Sequence, residues 1–203
     1  MIMSLFNENP KLILENINEL LIIGALDRKH AFHTPIFSNL DQKNTVKSRI
    51  VVLRKFDPNS LKLNFHTDIR SPKIKELKQN NNSYFVFYDA KIKIQLRIKT
   101  NSIINYQNDL TKKTWQKTSL SSRKCYLTKK NPSAKANFPE DGIPKKFTGT
   151  DPSKLESEKG YNNFTIIENI IINIDWLHLA SSGHRRLNIS FNKEEPKFDW
   201  LIP

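Results

Sequence analysis

The segment from Arg49 to Lys73, RIVVLRKFDPNSLKLNFHTDIRSPK, constrains the fold of this chain more than any other. Arg49 to Lys55 alternates and is rich in Ile and Val, as a half-buried strand should be. Asp57-Pro58-Asn59-Ser60 carries Asp at its first position and Pro at its second, the preferred type I turn placement. Leu61 to His66 alternates again, Leu61, Leu63 and Phe65 against Lys62, Asn64 and His66, and reads as the return strand. Thr67 to Lys73 then supplies a hydroxyl, an N-cap candidate in Ser71, a Pro at the first helical position and a Lys directly after it. Free N–H groups, the positive end of a helix dipole, two hydroxyls and nearby cations would converge there, which suits a phosphate monoester. An exposed hairpin followed by a well-capped surface helix fits the same residues.

The remaining pattern is α+β. Asn9 can cap a helix with Pro10 at its first position and Ile13, Ile17, Leu20 and Leu21 at helical spacing, ending at Gly24 or Ala25. Ala31 to Asp41 and Thr45 to Lys55 read as the first two strands, and Ile74 to Lys78 as a short helix. Ser83 to Asp89 is nearly all apolar and aromatic, which suits a strand buried on both faces. Lys91 to Asn105, Phe164 to Leu179 and Arg186 to Phe191 read as further strands, and Leu110 to Leu120 as an amphipathic helix. Strands this numerous, joined mostly by short turns, favour a closed antiparallel barrel over a parallel sheet. Thr128 to Tyr161 has four prolines, many lysines and almost no apolar periodicity, and reads either as a lid or as a floppy insertion.

Composition narrows the classes. At 203 residues a single domain spanning 1–203 is the natural reading. With 37% hydrophobic and 10% aromatic residues the chain can build a packed core. One cysteine, Cys125, excludes an intramolecular disulfide and a cysteine zinc cluster, and a partly buried structural role suits it. No apolar run approaches the roughly 18 residues of a membrane span, and Met1 to Glu8 has no basic stretch leading an apolar one. The chain therefore reads as cytoplasmic, with no membrane partner. The net charge of +13 is the main argument for nucleic acid, but the lysines are spread over the whole chain and no nucleic-acid-binding motif stands out. His30 and His33 read as surface histidines without further ligands at metal spacing, and Asp175 as an isolated surface carboxylate or a general base.

The order of these residues resembles the FMN-binding core of the pyridoxamine 5'-phosphate oxidase family. That family carries an Arg-x-Val-Leu-x-Lys/Arg strand, then an aromatic-Thr pair, then Ser-Arg-Lys at a helix start. Here the positions read Arg49-Ile50-Val51-Val52-Leu53-Arg54, His66-Thr67 and Ser71-Pro72-Lys73. His66 replaces the usual Tyr, and Pro72 replaces an Arg that normally touches the phosphate. Gln95 lies where the family has a strand Gln against the flavin, and Trp176 and Arg186 stand ten residues apart as the family's Trp and Arg do.

The resemblance implies a six-stranded antiparallel split β-barrel with flanking helices, FMN as cofactor, and a homodimer whose two chains share each flavin. It implies a phosphate held by Arg49, Thr67, Ser71 and Lys73, and a ring contacted by backbone from Ile50 to Leu53, by Gln95, and by Trp176 and Arg186. Authentic family oxidases hold substrate with Arg-Leu-His before the final Arg; here Ser182-Gly183-His184 keep only the His. Arg54 can replace the usual substrate-phosphate Lys, and Arg123 is a further candidate contact. Three functions follow: an FMN-dependent oxidoreductase on a small substrate, phosphorylated or not; a flavin-binding or flavin-reducing module without a dedicated substrate; and a basic nucleic-acid-binding barrel.

Overall fold

The computed structural model describes residues 8–192 and 195–203, so the reading of residues 1–7 as free of a leader lies outside it. Helix α1 (Pro10–Leu26) starts at the Asn9 cap, whose side chain accepts from the Lys11 N–H, and buries Ile13, Ile17, Leu21 and Gly24. A Cβ at Gly24 would stand 2.7 Å from that of Phe32, so only glycine lets the following turn pack this closely. The first strand expected from Ala31 starts instead as a 3-10 turn over Ala31–His33. His30 caps it through Nδ1, and His33 is buried with its Nδ1 2.7 Å from the Gly24 carbonyl, so neither is an idle surface histidine.

Among the described residues nine strands form one antiparallel sheet: β1 (Ile36–Leu40), β2 (Val46–Ile50), β3 (Lys55–Asp57), β4 (Lys62–Asp68), β5 (Asn82–Asp89), β6 (Ile94–Tyr106), β7 (Phe164–His178), β8 (Arg185–Ser190) and β9 (Lys197–Leu201). The order is β2-β1-β5-β6-β7-β4-β3, with β8 on β7 and β9 on β8. The resemblance implies six strands and the sequence pattern gives seven; the structure has nine because the run from Thr45 to Lys55 is broken into β2 and β3 and because β9 is added at the edge. The barrel splits at β7, whose first half pairs with β4 and whose second half pairs with β8.

Residues 51–53 stay paired to the segment just before β1, and at Arg54 the chain turns to β4, which closes the barrel. The Val51 and Leu53 N–H groups bond to the Pro35 and His33 carbonyls at 3.0 and 2.9 Å, and Arg54 N–H bonds to the Asn64 carbonyl at 2.8 Å. An alternating sequence cannot reveal such a switch of partner, because the side-chain period continues through it. The turn after β3 is held by the Asp57 carboxylate, which accepts from the Asn59 and Ser60 N–H groups, and Leu61 sits at φ +51° rather than in the return strand. Between strands, Phe37, Phe65, Phe85, Phe87, Leu96 and Trp176 fill the core. β5 is buried on one face only: Phe85 and Phe87 point in, and Tyr84 and Tyr88 point out.

Helix α2 (Pro72–Gln79) follows β4, and α3 (Asp109–Lys117) and α4 (Leu120–Arg123) follow β6. The lysine-rich stretch of residues 128–161 contains short helical turns, α5 (Lys154–Ser157) among them. It is tied to the body at its start by Arg70, which donates to the Thr128 carbonyl and hydroxyl, in its middle by Lys124, which donates to the Thr150 carbonyl, and at its end by Arg123.

Candidate functional site

Four of the residues expected around a phosphate come together. Lys73 Nζ donates to the Thr67 and Ser71 hydroxyls at 2.9 and 2.7 Å. Ser71 occupies the N-cap of α2, yet its hydroxyl makes no cap bond to the helix and serves the lysine instead. That leaves the first turn of α2 with its dipole directed at the same point. Burial, and then the charge of Arg49, lower the Lys73 ammonium from the ordinary lysine range to about 8. Glu76 and Asp68 offset part of the repulsion between the two cations, and a bound phosphate would offset more of it.

Arg49 is itself placed by residues the sequence did not single out. Its guanidinium donates to Asn39 Oδ1, lies 5.6 Å from the Phe37 ring centroid and stands 3.7 Å from Glu76 Oε2. Asn39 in turn donates to the Glu76 carboxylate at 2.8 Å. Burial depresses the Arg49 guanidinium and Glu76 opposes this, so Glu76 is the counter-charge that Arg49 must share with a bound anion. Nothing in the local pattern around Asn39 or Glu76 signals this, because they lie far from Arg49 in sequence.

The other expected cofactor residues are distributed differently. Arg54 and His66 face a separate cavity of about 760 Å³ between α3, α4 and strands β3, β4 and β7. Burial, reinforced by Arg54, pushes the His66 imidazole down to about 4, so it is neutral at pH 7 and packs edge-on against Phe164. The Val51 and Leu53 amides are already bonded within the barrel, which closes the expected flavin contact through those two donors; the Val52 N–H keeps no partner among the described residues. Leu53 is a core residue and Ile50 is 69% exposed on the outer face.

Gln95 and Arg186 share that outer face, in a row that runs Tyr88, Gln95, Leu177, Arg186 across four strands. Arg186 forms a fork on Asp175, Nε to Oδ1 at 3.1 Å and Nη2 to Oδ2 at 2.8 Å, and Arg97 donates to the same carboxylate. Asp175 is therefore neither isolated nor free to act as a general base. Trp176 points the other way, into the core opposite Leu96 and Leu187, and is 3% exposed, so it packs the barrel rather than facing a ligand.

Arg123 and Cys125 are placed otherwise than the sequence suggests. Arg123 is buried: it donates to the carbonyls of Trp115 and Thr118, to Ser157 Oγ and to Glu158 Oε1, and lies 4.7 Å from the Trp115 ring centroid. All of its donors in these bonds are committed to the fold, which removes it as a substrate contact. His184 is exposed in the turn before β8, next to Gly183 at φ +123°. Cys125 is exposed and lines the large cavity, contrary to the structural role expected of it.

Residues 18–105 match the family model described as pyridoxamine 5'-phosphate oxidase, FMN-binding domain. The matched segment runs from within α1 to the end of β6 and includes Arg49, Thr67, Ser71, Lys73 and Gln95; it is an FMN-binding domain, and FMN is its cofactor. Trp176 and Arg186 lie outside it. A search of the curated proteins finds no match. Among solved structures, a pyridoxamine 5'-phosphate oxidase-related, FMN-binding protein from Nostoc punctiforme is similar at 19% identity and TM-score 0.71, over 99% of this chain and 100% of that one. PhzG from Burkholderia lata, in complex with tetrahydrophenazine-1-carboxylic acid, is similar at 13% identity and TM-score 0.70, over 100% and 98%. A Clostridium acetobutylicum protein related to general stress protein 26 is similar at 10% identity and TM-score 0.54, over 95% and 97%. These likenesses show the fold, the antiparallel split barrel with flanking helices.

Proposed function

We propose that this chain is an FMN-dependent oxidoreductase that acts on a small anionic substrate and works as a homodimer. The observation that carries the reading is the cavity of about 760 Å³ that opens beside Arg54 and His66, both within the FMN-binding segment. A module that only stored or relayed flavin would need no ligand-sized cavity apart from Arg49, Thr67, Ser71 and Lys73, none of which lines this one. When bound, FMN supplies the two-electron chemistry. The protein's part is to hold the phosphate with Arg49, Thr67, Ser71 and Lys73, and to present Arg54 and His66 to the second ligand. Ser182 and Gly183 offer no charged side chain where the resembling oxidases hold their phosphorylated vitamer, so the substrate is expected to differ from theirs. The visible spectrum is the test. Purified protein should bind one FMN per chain, and the bound flavin should bleach when a reducing substrate is added without oxygen. Protein that stays colourless in excess FMN would overturn the proposal.

The homodimer is supported by the outer face of the sheet. Val46, Ile36, Ile50, Tyr84 and Tyr88 are 65%, 43%, 69%, 47% and 48% exposed there, on three adjacent strands. Ile50 faces Ile36, which faces Val86, so an apolar row crosses these strands on a highly charged chain, the kind of exposed surface that marks an interaction site. Gln95 and Arg186 lie on the same face, where a partner's flavin could reach them. Light scattering at micromolar concentration is expected to give a dimer with two FMN; a flavin-loaded monomer would contradict the shared site.

Lys73 also sets a pH dependence. The free ammonium loses its proton near 8, whereas a bound phosphate dianion favours the charged form. FMN affinity should therefore hold between about pH 6.5 and 8, where the phosphate is mostly dianionic. Above 8 it should fall, approaching tenfold per pH unit, because binding must then take up a proton. In Lys73→Arg the fall should vanish, since the guanidinium stays charged. A flat wild-type titration up to pH 9.5 would remove Lys73 from the phosphate site.

A further inference from the structure

The cavity beside Arg54 is more cationic than one phosphate requires. Arg28, Arg54, Lys55, Lys113 and Lys117 line it, and no carboxylate does. Among the described residues none of the five takes part in an ion pair, although the same chain pairs Lys47 with Asp41 and Lys62 with Glu168 elsewhere. Five unpaired cations around one concavity make it electropositive and attract a counter-anion. The wall carries a second signal. Asn64, on β4 next but one to His66, is 7% exposed, and its Oδ1 is buried with no hydrogen-bond partner. An unmet buried acceptor costs about 1–3 kcal/mol, and a hydroxyl or N–H on the body of a ligand, beside its anionic groups, would recover it. The α3 lysines stand one helical turn apart, Lys113 and Lys117, and so address a single ligand from one side.

We propose that this cavity binds a substrate carrying at least two anionic groups, phosphate or carboxylate, and not a simple phosphate monoester. The proposal rests on the reading of the chain as a flavin enzyme and names the substrate class of the same site. A monoester dianion would leave most of the five charges uncompensated; a ligand bearing three or more negative charges would meet Arg54 and Lys55 on the strand side and Lys113 and Lys117 on the helix side. The volume, about 760 Å³, leaves room for a body of metabolite size between those walls.

Calorimetry on FMN-saturated protein tests this with inorganic phosphate, pyrophosphate and citrate as probes, the flavin keeping the Arg49 and Lys73 site filled. Pyrophosphate or citrate is expected to bind once per chain and at least tenfold tighter than phosphate, and which of the two is tighter tells phosphate from carboxylate recognition. Lys113→Ala/Lys117→Ala should weaken the tighter probe at least tenfold without changing FMN affinity. The control Lys11→Ala/Lys78→Ala, on exposed lysines away from the cavity, should stay within twofold. Equal affinity for all three probes, or equal losses in both double variants, would overturn the proposal, since either means diffuse attraction to a basic protein. A failure of the flavin reading is seen separately, as protein that binds no FMN in the loading step.

Discussion

Arg49→Ala is expected to weaken FMN binding at least tenfold, about 1.4 kcal/mol, and to weaken riboflavin much less. The guanidinium lies within reach of a phosphate at the start of α2, beside Lys73, and a charge-assisted hydrogen bond contributes about 1.5–3 kcal/mol net. Part of that is offset in the free protein, where Arg49 is already engaged by Asn39 and faces Glu76 at 3.7 Å. Riboflavin lacks the phosphate, so it reports only damage to the ring site. Fluorescence titration of both ligands separates the outcomes. Equal losses would mean that Arg49 holds the end of the barrel through Asn39 and Glu76 and does not touch the phosphate.

Arg123→Ala should cost far more, in stability. The side chain is 3% exposed and satisfies two carbonyls, a buried hydroxyl and one carboxylate while stacking on Trp115. Truncation strands those acceptors and opens a cavity under α4. Losses of about 3–5 kcal/mol are usual when one partner of a buried charged network is removed. At roughly 2–4 °C per kcal/mol for a chain of this size, the melting temperature should fall by about 6–20 °C. Arg123→Lys should recover only part of this, because an ammonium cannot span donors set in a fork. A variant that melts within about 2 °C of wild type but loses affinity for the cavity's ligand would show the opposite, that Arg123 is a substrate contact after all.

The two variants differ in what the amino-acid order could reveal about each residue. Arg49 precedes a Val-Leu strand, and the pair Thr67 and Ser71 precede a lysine at a helix start; each relation is local, and together they outline a phosphate site without coordinates. The Asn9 cap, the Asp57 turn and the alternation of β4 are legible for the same reason: the groups that interact lie within a few residues of one another. Arg123 lies in a short polar stretch in which nothing local distinguishes a buried arginine from an exposed one. Its burial depends on Ser157 and Glu158, more than thirty residues away, folding back over it.

The same division runs through the rest of the molecule. Local alternation and turn chemistry determined that the chain makes many antiparallel strands and one anion-ready helix start, because strand period and capping act over a handful of residues. Only the tertiary structure decided that the alternating run through Leu53 changes partners and closes the barrel, that Trp176 packs inward while Arg186 locks onto Asp175, and that cations from α3 and from the strand preceding β4 surround one cavity. These outcomes are set by register between distant strands. A shift of one residue reverses every side chain's face, and that register is chosen by the packing of the whole core, which no short stretch of sequence contains.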